Sequence, residues 1–186
     1  RLRSDVPVGA YLSGGLDSSA IVGVAAALMK DRPFHTFTAR YGEHPADESY
    51  WAAKVNAHYP NIRGHEAWPD GERLWEDFRR MIWHQDLPVH STSMYAQWEV
   101  MKVAAGEGMK VLLDGQGADE VLGGYDNYLG AHLLEKLKGL QFRSFFREAE
   151  MLKENRLLDI RQALLPALFH HLPAPWQRMV RRRTRL

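Results

Sequence analysis

The stretch LSGGLDSS, from Leu12 to Ser19, joins an apolar run to a helical pattern. Before it, apolar side chains alternate from Val6 to Leu12, as is typical of a buried strand. After it, apolar residues recur at helical spacing up to Lys30. A strand that passes through paired glycines into a helix predicts a loop that an anion can approach closely, because glycine carries no side chain.

The residue types in this loop indicate a phosphate site. Gly14 and Gly15 allow a tight backbone turn, and Ser18 and Ser19 add hydroxyl donors. The helix that follows directs its positive end at the loop. Asp17 would repel phosphate unless a divalent cation lay between them, and Mg²⁺ binds carboxylate and phosphate oxygens in this way. The alternative is an ordinary strand-to-helix turn in which Asp17 or Ser18 caps the helix.

Strands and helices alternate along the first 125 residues. Beyond the strand at 6–12 and the helix at 18–30, the patterns predict strands at 34–41, 62–67 and 110–114, and helices at 46–58, 71–83 and 92–105. This alternation implies crossover connections and a mostly parallel sheet. After Tyr125 only helices are predicted, with amphipathic segments at 132–155 and 159–171. In the first helix the face predicted to be buried consists of Ile21, Val24, Ala25 and Leu28.

A second glycine-rich segment, DGQGADEVLGGY, runs from Asp114 to Tyr125 directly after a predicted strand. Neighbouring parallel strands end at one edge of a sheet, so the two segments are expected to face one crevice, where open α/β sheets bind ligands. Asp119 would then join Asp17 on the same metal ion. The alternative for Asp119 and Glu120 is acidic charge that stabilises a helix N-terminus without a ligand.

Composition narrows the class of protein. With 45% hydrophobic residues the 186-residue chain can bury a core, and its net charge of +1 gives no support for a nucleic-acid partner. The absence of cysteine excludes disulfides and thiolate chemistry within the chain and agrees with a cytoplasmic location. No apolar run of about 18 residues predicts a membrane helix. The sequence begins with arginine, and we expect it to be a piece of a longer chain.

Three segments, RLRSDVPVGAYLSGGLDSS, DLPVHSTSMYAQW and DGQGADEVLGGY, resemble the synthetase domain of glutamine-hydrolysing asparagine synthetases. SGGLDSS by itself resembles the pyrophosphate loop of the N-type ATP pyrophosphatases, which cleave ATP between the α and β phosphates. The resemblance implies an α/β, parallel-sheet, three-layer ATP-pyrophosphatase fold of the adenine nucleotide alpha hydrolase-like kind. Residues 1–130 would form its core, and residues 131–186 a truncated helical extension of the same domain.

The resemblance also implies a role for each matching residue. Asp17 and Asp119 would bind Mg²⁺, and Asp119 and Glu120 would serve catalysis. Gln116 stands where many relatives have a glutamate that assists formation of the aspartyl-adenylate, and glutamine can neither carry that charge nor accept a proton. ATP and its pyrophosphate would be held by Leu12, Ser13, Gly14, Gly15, Asp17, Ser18, Ser19, Ala39, Asp114 and Gly115.

The implied reaction converts a carboxylate, aspartate, into an adenylate that ammonia attacks to give asparagine, AMP and pyrophosphate. A glutaminase domain in the full-length protein would supply the ammonia. The other expected partners are small-molecule substrates, and neither a nucleic acid nor a membrane is expected. Formation of a homo-oligomer is left open by the sequence. Two alternatives remain: a nucleotide-binding module without turnover, and a related amidotransferase with a different acceptor. His84, Asp86, His90 and Ser91 either face that acceptor or form a structural polar loop.

Overall fold

A computed structural model describes residues 2–45, 47–89, 91–154, 164–165, 168–169 and 172–178. Contacts divide the chain into two compact units, Arg1–Gly115 and Gln116–Leu186. The division of the family domain at residue 130 stays a prediction. Within the described ranges, no helix combines the length and the apolar character needed to cross a bilayer.

The first unit contains a parallel sheet of four strands in the order β3-β2-β1-β4. The strands are β1 (Val8–Tyr11), β2 (Phe34–Ala39), β3 (Ile62–Ala67) and β4 (Val111–Leu113). Ala10 of β1 lies between Thr36 of β2 and Leu113 of β4. The chain builds outward from β1 to β3 and then returns to the other side of β1. The switch point of the topology therefore lies between β1 and β4, where open α/β sheets bind their ligands.

Helices cover both faces of this sheet. They are α1 (Leu16–Leu28), α2 (Ser49–His58), α3 (Gly71–Gln85) and α4 (Thr92–Gly106). The helices α1 and α2 pack on one face, whereas α4 packs against β2 and β3 on the other and contacts α3. This arrangement of helix, parallel sheet and helix confirms the predicted three-layer α/β class.

The core follows from the alternation of side chains along β2. Phe34 contributes to the cluster under α1 and α2, whereas Phe37 contributes to the cluster under α4. Both rings are fully buried. Burial of a phenylalanine side chain contributes on the order of 2 kcal/mol to folding. The strand is thus held from both faces, and the residues at its carboxyl end have a fixed position.

The predicted buried face of α1 is wrong in part. Val24 and Leu28 are 63% and 72% exposed, whereas Val22, Ala25 and Ala26 are buried. The contact stripe follows the spacing of Ser18, Val22 and Ala25. The small side chains of Ala25 and Ala26 let the helix approach the sheet closely.

The second unit consists of helices in its described part. They are α5 (Ala118–Leu122), α6 (Asp126–Lys138) and α7 (Phe142–Glu154), and α6 packs on α7 through Leu133, Phe145 and Ala149. The amphipathic segment predicted at 132–155 is helical in α6 and α7, but a break separates the two helices. Leu140 adopts a φ of 55°, and the N–H of Gln141 donates to the carbonyl of Lys136, which closes α6. The helix predicted at 159–171 falls largely outside the described residues.

Candidate functional site

The first glycine loop leads directly into α1. The helix begins at Leu16, two residues before the predicted start, so Asp17, Ser18 and Ser19 lie in its first turn. Its N-cap is Gly15, which has no side chain with which to cap, and the alternative with Asp17 or Ser18 as the cap is therefore wrong. A helix start without a side-chain cap has free backbone N–H groups that can donate hydrogen bonds to an anion.

Three hydrogen bonds close this loop on itself. The N–H of Gly15 donates to the hydroxyl of Ser13 at 3.2 Å, and the hydroxyl of Ser18 donates to the carbonyl of Gly15 at 3.2 Å. The Ser13 and Ser18 hydroxyls lie 3.0 Å apart, and because Ser18 gives its proton to Gly15, Ser13 is the donor between them. The hydroxyl protons are thus used within the loop, and the helix N–H groups are the first donors that an anion meets.

Position 14 requires glycine, both for the backbone conformation and for the close packing around it. Its φ is +94°, which L side chains rarely adopt. A Cβ atom there would lie 2.8 Å from the carbonyl oxygen of Glu48 and from Cβ of Trp51, and 2.9 Å from the N atom of Ala52. The loop is thus packed against the first turn of α2, and no larger residue fits.

The hydroxyl of Ser19 is buried and has no hydrogen-bond partner among the described residues. An unpaired buried polar group costs about 1–3 kcal/mol unless a ligand or a water satisfies it. Asp17, two residues earlier in the same turn, is half-buried. These two oxygen donors have the chemistry that Mg²⁺ and its bound phosphates prefer, so the residues present fit the predicted ion.

The start of the second glycine segment lies against the first loop. A Cβ atom on Gly115 would lie 3.0 Å from the N atom of Ser18 and 3.3 Å from Cβ of Asp17. The neighbouring carboxylate of Asp114 lies 3.5 Å from Nε2 of Gln97 on α4. The chain leaving β4 therefore reaches the first glycine loop at the switch point of the sheet.

The rest of the second segment, in the second unit, is shaped by glycines at the two ends of α5. Gly117 precedes the helix with a φ of 93°, and Gly123 ends it with a φ of 72°. Both backbone conformations favour glycine, because a side chain would be strained there. Gln116 precedes this helix and is exposed. The elements predicted from the sequence did not include α5, but the alternative for Asp119 and Glu120 placed them at a helix N-terminus, and both lie in the first turn of α5.

The acidic residues of α5 have separate partners. Asp119 packs against Gly124, where a side chain would collide with its carboxylate, and Tyr125 donates its hydroxyl to Glu120 at 2.9 Å. This bond is the main cause of the raised pKa of Tyr125. Asp17 belongs to the first unit and Asp119 to the second, and their binding of one shared cation stays a prediction.

A cavity of about 660 Å³ opens at the carboxyl ends of the strands in the first unit. This volume suits a nucleoside or a similar ligand. Two predicted nucleotide-binding residues, Ser13 and Ala39, belong to its wall. The other lining residues come from the end of β1, the loops after β2 and β3, and the first turns of α3 and α4: Tyr11, Tyr41, His44, Glu48, Pro69, Gly71, Leu74, Thr92, Ser93, Tyr95 and Ala96.

Two tyrosines in this wall remain neutral over the physiological pH range. Burial raises the pKa of Tyr11 well above its usual range, with further contributions from Tyr41 and the carboxylate of Asp114. Burial also raises the pKa of Tyr41, followed by the charges of Asp47 and Glu48. The cavity therefore offers aromatic surface and phenolic hydroxyls rather than phenolate charge. The sequence prediction missed these tyrosines, although each follows or ends a parallel strand.

Asp47 organises the rim of the cavity. Its carboxylate accepts hydrogen bonds from the N–H of Tyr41 at 2.7 Å and from the N–H of Ser49 at 2.8 Å, and it lies 4.0 Å from Nε of Arg40. The hydrogen bond from the Ser49 side chain is the largest cause that lowers its pKa to about 2. The ionised carboxylate thereby fixes the loop between β2 and α2 next to Gly14.

Four other predicted positions are not among the residues that line the cavity. Leu12 has its side chain in the core, its N–H donates to Phe37 at 2.9 Å, and its carbonyl accepts from Thr38 at 2.7 Å. Ser91 is the N-cap of α4 and accepts from the N–H of Ser93. His84 packs beside the Trp98 ring, and His90 lies outside the described residues.

Comparison with known proteins adds family information to this geometry. A family model described as asparagine synthase matches residues 1–185. The chain is 34% identical over 140 residues to the putative glutamine-hydrolyzing asparagine synthetase 2 of Methanocaldococcus jannaschii, covering 75% of this chain and 27% of that relative. It is 30% identical over 163 residues to the glutamine-hydrolyzing asparagine synthetase 2 of Bacillus subtilis, covering 84% of this chain and 21% of the relative.

A relative with another kind of name also matches. The chain is 29% identical over 140 residues to the amidase chyE of Penicillium rubens, covering 69% of this chain and 21% of that protein. The matches span only 21% to 27% of the length of these three relatives. What the relatives do as whole proteins therefore reaches beyond the segment that this chain shares with them.

Proposed function

The chain belongs to the asparagine synthase family, and from this membership we propose that the protein containing it is an ATP-dependent amide-forming synthetase. The proposed acceptor is aspartate and the nitrogen source is ammonia, giving asparagine, AMP and pyrophosphate. The observation that carries this proposal is the approach of Gly115 to Asp17 and Ser18 at the switch point of the sheet. A nucleotide binds at that place in folds of this type.

The chemistry has two steps. The acceptor carboxylate attacks the α-phosphorus of ATP, the bond from that phosphorus to the bridging oxygen breaks, and pyrophosphate leaves. Ammonia then attacks the activated acyl carbon, loses a proton, and displaces AMP. Both steps depend on positioning and on stabilisation of growing negative charge rather than on a side-chain nucleophile. This matches a loop made of glycine, serine and aspartate.

We assign stabilisation of the leaving pyrophosphate to the start of α1. The backbone N–H groups of its first turn would donate to the phosphate oxygens, and the buried hydroxyl of Ser19 would gain a partner. Asp17 and Asp119 would hold a magnesium ion, which supplies positive charge to the phosphates when bound. Asp119 and Glu120 are the proposed catalytic carboxylates. Gln116 would contribute hydrogen bonds but no charge.

We assign the nucleoside to the cavity at the carboxyl ends of the strands. Ala39 would contact it through the backbone at the end of β2, and Tyr11 and Tyr41 add aromatic surface. Asp114 and Gly115 would lie beside the ribose-phosphate part, because they follow β4 on the other side of β1. The glutaminase domain remains the proposed partner, supported by the relatives that are named glutamine-hydrolyzing.

The test uses the full-length protein with ATP, Mg²⁺, aspartate and ammonium chloride. Adding ammonium directly makes the outcome independent of the glutaminase domain. AMP and pyrophosphate should form in equal amounts with asparagine, and aspartate should support exchange of labelled pyrophosphate into ATP. Production of ADP and phosphate alone would contradict the proposal.

A different acceptor is the second candidate, favoured by the match to a relative named amidase chyE. Pyrophosphate exchange with a panel of amino dicarboxylates and β-amino acids separates the two. Exchange with another acid but not with aspartate would keep the adenylation chemistry and replace the acceptor. ATP binding by calorimetry without exchange for any acid would instead indicate a nucleotide-binding module without turnover.

A further inference from the structure

Two histidines and a glutamate meet in the first unit, away from the cavity. His35 is the second residue of β2, whereas the cavity lies at the carboxyl end of that strand. His65 of β3 lies opposite Phe37 and therefore diagonally across from His35. Glu107 follows the last residue of α4, which packs on the same face of the sheet. One ligand atom from each of these three side chains can be chosen so that all lie within 4.8 Å of one another.

The contacts among these side chains fix their tautomers. Nδ1 of His35 lies 2.9 Å from Nε2 of His65, and Nδ1 of His65 lies 3.5 Å from Oε1 of Glu107. The nearby carboxylate favours the His65 tautomer that has its proton on Nδ1 and a lone pair at Nε2. In that tautomer the proton between the two rings belongs to Nδ1 of His35.

Packing holds both rings in place. The His65 ring is nearly parallel to the Phe37 ring, with centroids 4.8 Å apart, and its side chain is 19% exposed. Burial, followed by the influence of His65, lowers the pKa of His35, so its imidazole is neutral at physiological pH. The nearby guanidinium of Arg63 donates to the carbonyls of Pro60 and Ile62. The pair is thus partly open to solvent and anchored on adjacent strands.

We propose that His35 and His65 form a binding site for a divalent transition metal such as Zn²⁺. Nδ1 of His35 and Nε2 of His65 are the ligands, and water completes the coordination. Glu107 orients His65 through its Nδ1–H, an arrangement that raises the basicity of the ligating nitrogen. Two imidazoles select Zn²⁺, Ni²⁺ or Cu²⁺ over Mg²⁺, which prefers oxygen ligands.

Binding requires the two rings, now nearly parallel with an interplanar angle of 11°, to turn so that both lone pairs face one ion. Two Zn–N bonds of 2.0–2.1 Å at a tetrahedral angle place the nitrogens about 3.3 Å apart, compared with 2.9 Å here. The proton on Nδ1 of His35 moves through solvent to Nε2 of the same ring, so no net proton is released. The competing interpretation is a structural hydrogen-bond chain from α4 to β2, which binds no metal.

The first test is calorimetric titration of the protein with Zn²⁺ at pH 7.5 in the presence of millimolar Mg²⁺. His35→Gln and His65→Gln should each weaken one binding event at least tenfold, and Glu107→Gln should weaken the same event about tenfold. His58→Gln removes an exposed histidine on α2 and is the matched control, with no expected effect on that event. Equal Zn²⁺ binding in all these variants would overturn the proposal.

A second measurement needs no variant. In ¹⁵N-resolved imidazole spectra of the wild-type protein, substoichiometric Zn²⁺ should shift Nδ1 of His35 and Nε2 of His65 while Nδ1 of His65 keeps its proton. Unchanged resonances of both rings at saturating Zn²⁺ would establish the structural hydrogen-bond chain instead. This readout does not depend on nucleotide binding, so it stands apart from the proposed synthetase activity.

Discussion

The two glycine-rich segments are similar in composition but are built differently. The first, Ser13 to Ser19, is closed by hydrogen bonds among its own residues and packs on α2 through Gly14. The second, Asp114 to Tyr125, contains a five-residue helix without a buried residue, and glycines define its two ends. The first segment therefore has its conformation imposed by packing, whereas the second has it imposed mainly by backbone preference.

This difference indicates in which segment a substitution can lower activity without lowering stability. In the first segment substitution of Gly14 or Ser13 disturbs packing or internal hydrogen bonds as well as the proposed binding of a ligand. In the second segment, substitution of Asp119 or Glu120 leaves no cavity in a core, because α5 has no buried residue. Loss of activity without loss of stability is therefore expected mainly from the second segment.

The largest effect should come from the two proposed metal ligands. Asp17→Asn and Asp119→Asn should each lower AMP formation about 100- to 1,000-fold, because each removes charge that holds the ion at the phosphates. If the two carboxylates serve one ion, the double variant should lose little more than either single variant. Asp31→Asn, at an exposed turn, is the control and should retain activity. Multiplicative losses in the double variant would argue against a shared ion.

Gly14→Ala should have the largest effect on folding. A positive φ and contacts of 2.8–2.9 Å with α2 both oppose a methyl group, and together they should lower the free energy of unfolding by about 3 kcal/mol. Gly42→Ala shares the positive φ, but a Cβ atom there meets nothing within 4 Å. It should cost about 1 kcal/mol. Chemical denaturation of both variants measures the difference, and equal losses would show that packing on α2 contributes nothing.

Gly115→Ala tests the contact between the start of the second segment and the first loop. Its Cβ atom would lie 3.0 Å from the N atom of Ser18, so the strand end or the loop must shift, at a cost of about 1–2 kcal/mol. The shift should weaken ATP binding by more than the stability loss alone explains. Calorimetry of ATP binding under conditions where the variant is fully folded checks this, and unchanged affinity would contradict it.

The pH dependence of stability should distinguish Asp47 from the acids of the second segment. The pKa of Asp47 is lowered to about 2 in the folded protein. Its ionised carboxylate therefore stabilises the fold fully above the pKa of the unfolded state, and this stabilisation is lost as the pH falls towards 2. Asp47→Asn should therefore reduce stability at pH 6, and the gap to the wild type should close between about pH 4 and pH 2. Glu120→Gln is the comparison variant and should leave stability near the wild-type value. A gap that stays constant with pH would contradict the assignment.

The smallest effects on stability are expected from substitutions of Ser13 and Ser19, which differ in their hydrogen bonds. Ser13→Ala breaks the closed loop and should cost about 1 kcal/mol of stability. Ser19→Ala removes a buried hydroxyl that has no partner among the described residues, so stability should change by less than about 0.5 kcal/mol. Both should weaken ATP binding several-fold. Thermal unfolding with and without ATP measures both quantities, and a large stability loss in Ser19→Ala would show that its hydroxyl has another partner.

Much of the fold could be predicted because glycine and proline mark the ends of elements whose periodicity is clear. The strands at 34–39 and 62–67 and the helix α3 follow their predicted patterns closely. The rotation of α1 could not be predicted, because packing chose the small residues Ala25 and Ala26 over the larger Val24 and Leu28. The break at Leu140 was missed because a left-handed leucine has no distinct sequence signal.

Prediction of the site was limited in a similar way. The glycine and serine positions could be found from local chemistry, since a close approach of backbone to ligand needs those residue types. The tyrosines of the cavity and the carboxylate of Asp47 come together only when β2, β3 and α4 are assembled. The histidine pair likewise depends on the register between β2 and β3, which places residues 30 positions apart side by side.

The hydrogen bonds among Ser13, Gly15 and Ser18 give the first loop a defined shape that does not depend on a ligand. If the loop binds phosphate as proposed, its backbone N–H groups are already in position before the phosphate arrives. Less ordering entropy would then be lost on binding, and release of the product would not require the loop to unfold.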